Sequence, residues 1–240
     1  MSYKPLEEVK QRLERLGTYE LNEEKFVEVA ECVLKEEEPI DRLIEGYHQL
    51  LDEVSNEMKQ MDGHMGMTPT CQMGCAFCCY FPIIITRLEA KMIIRSIESM
   101  NEKRRQSIKA HLKEYFEVNK GNVEYCTTLD FQNEDVKLDY MKAQLPCPLL
   151  NTETNTCMAY ESRPLPCRTY VNYMDPKFCE DHLVPEETVS FEFLYEDYMG
   201  NLNEIAQEVA HEDETVKYPE DLFEYNYLPA FLKEWIQREE

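Results

Sequence analysis

Eight of the ten cysteines in this chain fall into two blocks. Cys71, Cys75, Cys78 and Cys79 stand within nine residues, and Cys147, Cys157, Cys167 and Cys179 follow at wider intervals. Thiols at this density can pair as disulfides, bind a soft metal as thiolates, or react as redox nucleophiles. The chain opens Met1-Ser-Tyr-Lys-Pro-Leu-Glu-Glu, charged where a signal peptide is apolar, and no stretch of about 18 apolar residues occurs in it. A cytosolic location is therefore expected, and the reducing cytosol disfavours stable disulfides in a protein of this size. Thiolate ligation of a metal is the leading reading.

Cys71, Cys75 and Cys78 can converge on one centre if the loop wraps around it, with Gly74 easing the turn and Gly66 and Pro69 supporting a looping approach. Cys79 follows Cys78 directly, and neighbouring side chains diverge by about 100° in a helix or about 180° in a strand. It either serves a second metal or packs as a small apolar group. Cys147, Cys157, Cys167 and Cys179 are the distal donors. Eight thiols suffice for two four-coordinate sites, or for one cluster plus a reactive or resolving pair, and the ion is zinc or iron, including an iron–sulfur cluster.

Outside the blocks, Cys32 lies on an apolar helix face, and it and Cys126 are read as core residues. His64 and His182 are candidate nitrogen donors near the blocks; His48, His111 and His211 are given no role. Arg163 and Arg168 frame Cys167 in Arg163-Pro-Leu-Pro-Cys167-Arg168. A guanidinium there lowers thiol pKa values, offsets the charge of a thiolate-bound metal as an outer partner, or grips a carboxylate. The structural alternative is an ion pair with Glu161 or a helix carboxylate.

These donors need elements to carry them. Apolar residues at helical spacing, Leu6, Val9 and Leu13, then Phe26, Val29, Cys32 and Val33, then Leu43, Tyr47, Leu50, Leu51 and Val54, predict helices over 5–62. Gly17 and the acidic run before Pro39 mark the breaks. Between Gly63 and Thr86 the chain carries no Asp, Glu, Lys or Arg, although 30% of it is charged, so this stretch is expected to be a buried or site-lining loop. Ile83 to Ile85 suggest a short strand. Thr86 and Glu89 have the spacing of a capping box for a helix running to about Met100. A further helix is expected over about 102–119, ending before Gly121, whereas 122–140 cannot be placed beyond a helical turn near Leu145. A small hairpin around Asn151-Thr-Glu-Thr-Asn155 would carry Cys147 and Cys157. The tail is helical, with Phe191, Phe193, Leu194, Tyr198, Leu202 and Ile205 and then Leu228, Phe231, Leu232 and Trp235 on apolar faces. The expected fold is mostly α, with a small irregular or short-hairpin β region, built around a cysteine-coordinated metal site. Its expected divisions are an N-terminal helical segment (1–62), a cysteine-cluster domain (63–185) and a C-terminal helical segment (186–240) that packs on the core.

Acidic residues number 48 against 25 basic ones, a net charge of −23. Such a field repels phosphate backbones and anionic lipid, so neither nucleic acid nor a membrane is an expected partner; a metal ion is.

Taken together, Cys71-x3-Cys75-x2-Cys78-Cys79, Cys147-Pro-Leu-Leu, Cys157-Met-Ala-Tyr160-Glu-Ser-Arg163-Pro and Pro166-Cys167-Arg168 closely resemble the bacterial cysteine-cluster family, known as the YkgJ-type or CxxCxxCC zinc- or iron-chelating proteins. The resemblance covers roughly residues 70 to 170 and includes Thr86 and Glu89. It implies a metal-binding domain and no particular reaction. The family's best-understood relatives resemble a flagellin lysine N-methylase longer than this chain, which makes a protein-modifying methylase one alternative. A second is a radical S-adenosylmethionine enzyme, whose cluster spacing Cys71-x3-Cys75-x-Phe77-Cys78 reproduces. That fold requires alternating strands and helices and Gly-rich binding segments, whereas this chain has seven glycines, one of them after residue 121. The third is a thiol redox sensor using Cys78 and Cys79, or Cys179.

Overall fold

The computed structural model describes residues 3–35, 38–133, 135–185 and 188–238. Glu36 and Glu37, in the acidic run read as a break, lie outside them. The helices are α1 (Leu6–Leu13), α2 (Glu23–Val33), α3 (Pro39–Met65), α4 (Arg87–Ser99), α5 (Glu102–Val118), α6 (Lys120–Thr128), α7 (Val136–Lys142), α8 (Pro166–Thr169), α9 (Lys177–Asp181), α10 (Leu194–Ala210), α11 (Glu220–Phe223) and α12 (Leu228–Arg238). The strands are short: β1 (Ile84–Thr86), β2 (Leu150–Asn151), β3 (Thr156–Cys157), β4 (Tyr170–Val171), β5 (Val189–Ser190) and β6 (Tyr225–Tyr227). The fold is mostly α. It divides into two compact units, Met1–Gln72 with Leu165–Tyr218, and Met73–Pro164 with Pro219–Glu240.

In the first unit α2, α3 and α10 pack on one another. The apolar stripe of α3 is buried from Leu43 through Tyr47, Leu50, Leu51 and Val54 to Met61 and Met65, a helical period carried inward along its length. Pro39 starts the helix, where its missing N–H costs nothing. Gly66 ends it at φ 64°, and the Met67 and Gly66 amides return to the carbonyls of Asp62 and Gly63, the bonding of a Schellman motif. Two guanidiniums complete the end: Arg12 donates to the Gly66 carbonyl (2.6 Å) and Arg15 to that of Met65 (3.3 Å). The helix therefore delivers the chain to the first cysteine block from a satisfied terminus. On α10, Leu194, Tyr198, Leu202 and Ile205 are buried, while Phe193, expected on that face, is 50% exposed because it precedes the helix and its ring turns out.

The second unit is tied across its sequence by the antiparallel pair β1–β6, with Ile84 opposite Tyr227 and Thr86 opposite Tyr225. Around it Tyr115, Val123, Cys126, Tyr140, Leu145 and Tyr227 form one apolar cluster, in which the Tyr140 and Tyr227 rings stack at 5.5 Å. As expected, α5 ends before Gly121, at Val118. The chain turns at Asn119 and restarts as α6, held by the burial of Val123 and Cys126 on this cluster rather than by intrinsic propensity. The previously unplaced stretch is thus α6 and α7. The strand and capping box predicted at Ile83 to Glu89 are present. Thr86 Oγ1 accepts from the Glu89 amide and donates to its carboxylate, which also accepts from the Thr86 amide, all at 3.0–3.1 Å. Arg87 then pairs with Glu224 and Glu234, and Lys91 with the buried Asp221, joining α4 to the C-terminal elements.

Both box residues are buried, Thr86 at 0% and Glu89 at 1% exposure, so Thr86→Ala removes the cap and leaves a buried carboxylate one donor short. The expected loss is about 2 kcal/mol, read from urea denaturation of the apo-protein.

Candidate metal centre

Five of the eight block cysteines belong to the second unit: Cys75, Cys78, Cys79, Cys147 and Cys157. The single helical turn Phe77–Tyr80 presents Cys78 and Cys79, and the β2–β3 hairpin carries Cys157 opposite Leu150. Asn151 shapes that hairpin by accepting from the amides of Glu153 and Thr154, and Asn155 closes it at φ 53°. The Cys147 amide donates to the Cys79 carbonyl at 2.7 Å, which brings the distal segment against the proximal one.

The sulfurs share a recurrent environment. The amide of Phe77 points to the Cys75 sulfur, that of Leu149 to Cys147 and that of Ala159 to Cys157, in each case two residues ahead of the thiol. Leu150 adds a second amide at Cys147. Burial nevertheless dominates: it pushes Cys147 up to about 12, with the neighbouring Cys157 and Cys78 adding to the effect, and raises Cys75 and Cys157. Cys78 goes the other way. The hydrogen bond donated by the Cys79 thiol, helped by the Arg163 guanidinium, holds it below the ordinary thiol range against burial. Arg163 is itself fixed, its guanidinium 3.7 Å from the centre of the Tyr160 ring and its Nε donating to the Tyr160 carbonyl at 3.2 Å, and it also favours the Cys157 thiolate.

Cys71, Cys167 and Cys179 belong to the first unit. Asn172 organises the environment of Cys71. Its amide donates to the Cys71 sulfur (3.3 Å), and its carbonyl accepts from the Thr70 amide (2.8 Å) and hydroxyl (3.1 Å). Its buried side chain closes the following turn through Met174 and Asp175, while Tyr173 donates to Asp62 on α3 at 2.6 Å. Cys167 rides on α8, which Arg168 moors to α3 by donating to Ser55 Oγ (2.9 Å) and the Leu51 carbonyl (3.4 Å), with Asp52 at 3.7 Å. Cys179 lies on α9. The uncharged loop is less buried than its composition suggests: Cys71 to Gly74 are exposed, Met73 at 71%, because Asn172 ties only the start of this stretch down.

All ten cysteines are thiols. Cys126 is a core residue, whereas Cys32 is exposed, since the buried stripe of α2 runs through Phe26, Ala30 and Val33 instead. His64 contacts Thr18 Oγ1 and the Arg15 carbonyl at 3.1 and 3.0 Å, and His182 is exposed. Among the described residues no three Cys, His, Asp or Glu side chains are gathered as ligands for one ion. The donor chemistry fits a thiophilic ion nonetheless, because amide dipoles and Arg163 surround sulfurs that would have to carry negative charge. Sequence reasoning passed over Asn172, Arg104 and Tyr115 and gave His111 no role, yet each bonds to a cysteine sulfur or to a carbonyl adjoining a cysteine. For the last three a signal existed, since polar side chains at positions 104, 111 and 115 recur on one helical face.

Among the described residues no helix is long and apolar enough to cross a membrane. No curated protein and no solved structure matches the chain. Residues 70–183 match the model of the CxxCxxCC family, described as a "putative zinc- or iron-chelating domain". The matched stretch contains all eight block cysteines and the amide-lined sulfurs of both units, and over these residues the chain is similar to the CxxCxxCC family.

Proposed function

We propose that this chain is a cytosolic metal-binding protein whose ion, zinc or iron, is held by thiolates. The observation that supports it most is the repeated aim of a backbone amide at the sulfur two residues before it, at Cys75, Cys147 and Cys157. Burying a thiol is unremarkable; surrounding it with amide dipoles is useful when the sulfur carries charge. Cys75, Cys78, Cys147 and Cys157 are the four donors of the second unit, with Cys79 a neighbour that hydrogen-bonds to Cys78 and is available as a further ligand. Cys71, Cys167 and Cys179 supply the donors of the first unit. Arg163 offsets the negative charge that four thiolates bring to a divalent ion, and Arg168 acts by mooring the segment that carries Cys167. A bound ion supplies a crosslink and, with an open position, a Lewis acid or redox centre. The net charge of −23 supports neither a nucleic-acid nor a membrane partner.

Protein purified without air should contain metal: zinc in a colourless preparation, or iron and sulfide in a brown one absorbing near about 400 nm. Cys75→Ser and Cys147→Ser should each lower the metal content and the thermal midpoint of the loaded protein. Less than about 0.2 ion per chain, with the Ser variants unchanged, would sink the reading.

A second expectation concerns pH. Cys75, Cys147 and Cys157 are raised by burial, so near neutrality they hold protons that an incoming ion must displace. The Zn(II) affinity of the apo-protein should therefore climb as pH rises from about 6 to about 8, by up to about tenfold per pH unit for each thiol deprotonated. A flat competition titration over that range would exclude these thiols as ligands.

A further inference from the structure

We propose that one face of α5 is a clamp that sets the two distal thiols of the second unit, with Arg104, His111 and Tyr115 as positioning residues for metal binding; the inference rests on the thiolate reading above. Tyr115 Oη donates to the Pro146 carbonyl at 2.6 Å and His111 Nε2 to the Pro148 carbonyl at 3.0 Å, so Cys147 is gripped on both sides. Arg104 Nη2 donates to the Met158 carbonyl beside Cys157 at 2.9 Å, and Glu161 steadies the guanidinium at 2.7 Å.

The segment Pro146-Cys147-Pro148 explains why side chains are needed. Proline fixes φ and has no N–H, so this stretch cannot be held by an ordinary strand ladder. Its one amide, that of Cys147, is committed to the Cys79 carbonyl at 2.7 Å, and the Cys147 carbonyl accepts from Leu150 at 2.9 Å. The remaining carbonyls, at positions 146 and 148, are those that Tyr115 and His111 reach. Every peptide group around Cys147 is thus engaged, which leaves rotation about its own side-chain bond as the main freedom of the sulfur. The helix cannot follow the loop if it shifts, because Ile108 and Leu112 between the donors are fully buried and Tyr115 is part of the apolar cluster. A thiol placed in this way spares the ion the cost of ordering it.

The test uses the full chain, Zn(II) as the probe in competition with a chromophoric chelator, and site-resolved iodoacetamide labelling of the apo-protein. Tyr115→Phe and His111→Ala should each weaken Zn(II) binding by about tenfold to a hundredfold. His111→Gln, which keeps an N–H donor, should stay within about threefold of the parent, as should Lys103→Gln on the exposed side of α5. In the apo-protein, labelling of Cys147 should quicken at least about fivefold in Tyr115→Phe and His111→Ala, and that of Cys157 in Arg104→Gln, with Cys32 unchanged. Unaltered affinity and labelling, His111→Gln no better than His111→Ala, or a rise at every cysteine including Cys126 would each overturn the clamp. Should Tyr115→Phe fail to fold, the two His111 variants decide. Should the parent take up no Zn(II), the metal reading fails, and the labelling pattern alone decides whether α5 positions these thiols.

Discussion

Thiols from distant parts of a chain can serve one ion only after the backbone between them has been folded back, since closing a long loop costs entropy that the ion would otherwise have to supply. In the second unit that closure is made by one backbone hydrogen bond, from the Cys147 amide to the Cys79 carbonyl at 2.7 Å. The surroundings of this bond serve to keep it. Prolines on either side of Cys147 stiffen the segment, α5 holds its carbonyls, and the cluster of Tyr115, Cys126, Tyr140, Leu145 and Tyr227 anchors α5, α6 and α7 behind it. The β1–β6 pair then binds the C-terminal elements to the same core, so the last residues of the chain help fix a loop near its middle.

The electrostatics of the site is a contest between burial and dipoles. Burial favours the neutral thiol and wins at Cys75, Cys147 and Cys157, whereas at Cys78 a hydrogen bond from Cys79 and the charge of Arg163 prevail. The amides at the other sulfurs favour the thiolate but do not outweigh burial. Of these four sulfurs, Cys75, Cys147 and Cys157 are thus held toward the neutral thiol, and Cys78 is the one that ionises most easily.

Local signals in the chain were legible where they depended on neighbours in sequence. The capping box at Thr86 and Glu89, the helices flanking it, the Asn151 to Asn155 turn and the apolar stripe of α3 all follow from short-range spacing and were readable. Cys32 and Phe193 misled because helical periodicity locates a stripe but not its edges, and both stand just off the buried arc. The end of α5 before Gly121 was readable, but α6 was not, because the burial of Val123 and Cys126 outweighs a glycine penalty of about 1 kcal/mol. His111 and Tyr115 carried a faint helical pattern, and Asn172 none, because their partners are carbonyls and a sulfur supplied by remote segments.

Residue chemistry and spacing therefore determined, from the sequence alone, that this is a mostly α protein with two blocks of soft donors and a strongly acidic surface. Only the tertiary structure decided how the donors are grouped. Cys75, Cys78, Cys79, Cys147 and Cys157 belong to one compact unit and Cys71, Cys167 and Cys179 to the other, so the chain passes between units inside the first block and again before Cys167. It likewise decided which sulfurs meet amides and which carbonyls meet α5. The physical reason is that a motif specifies side-chain chemistry and local turns, whereas partners for backbone groups are chosen by whichever distant segments the hydrophobic core brings alongside.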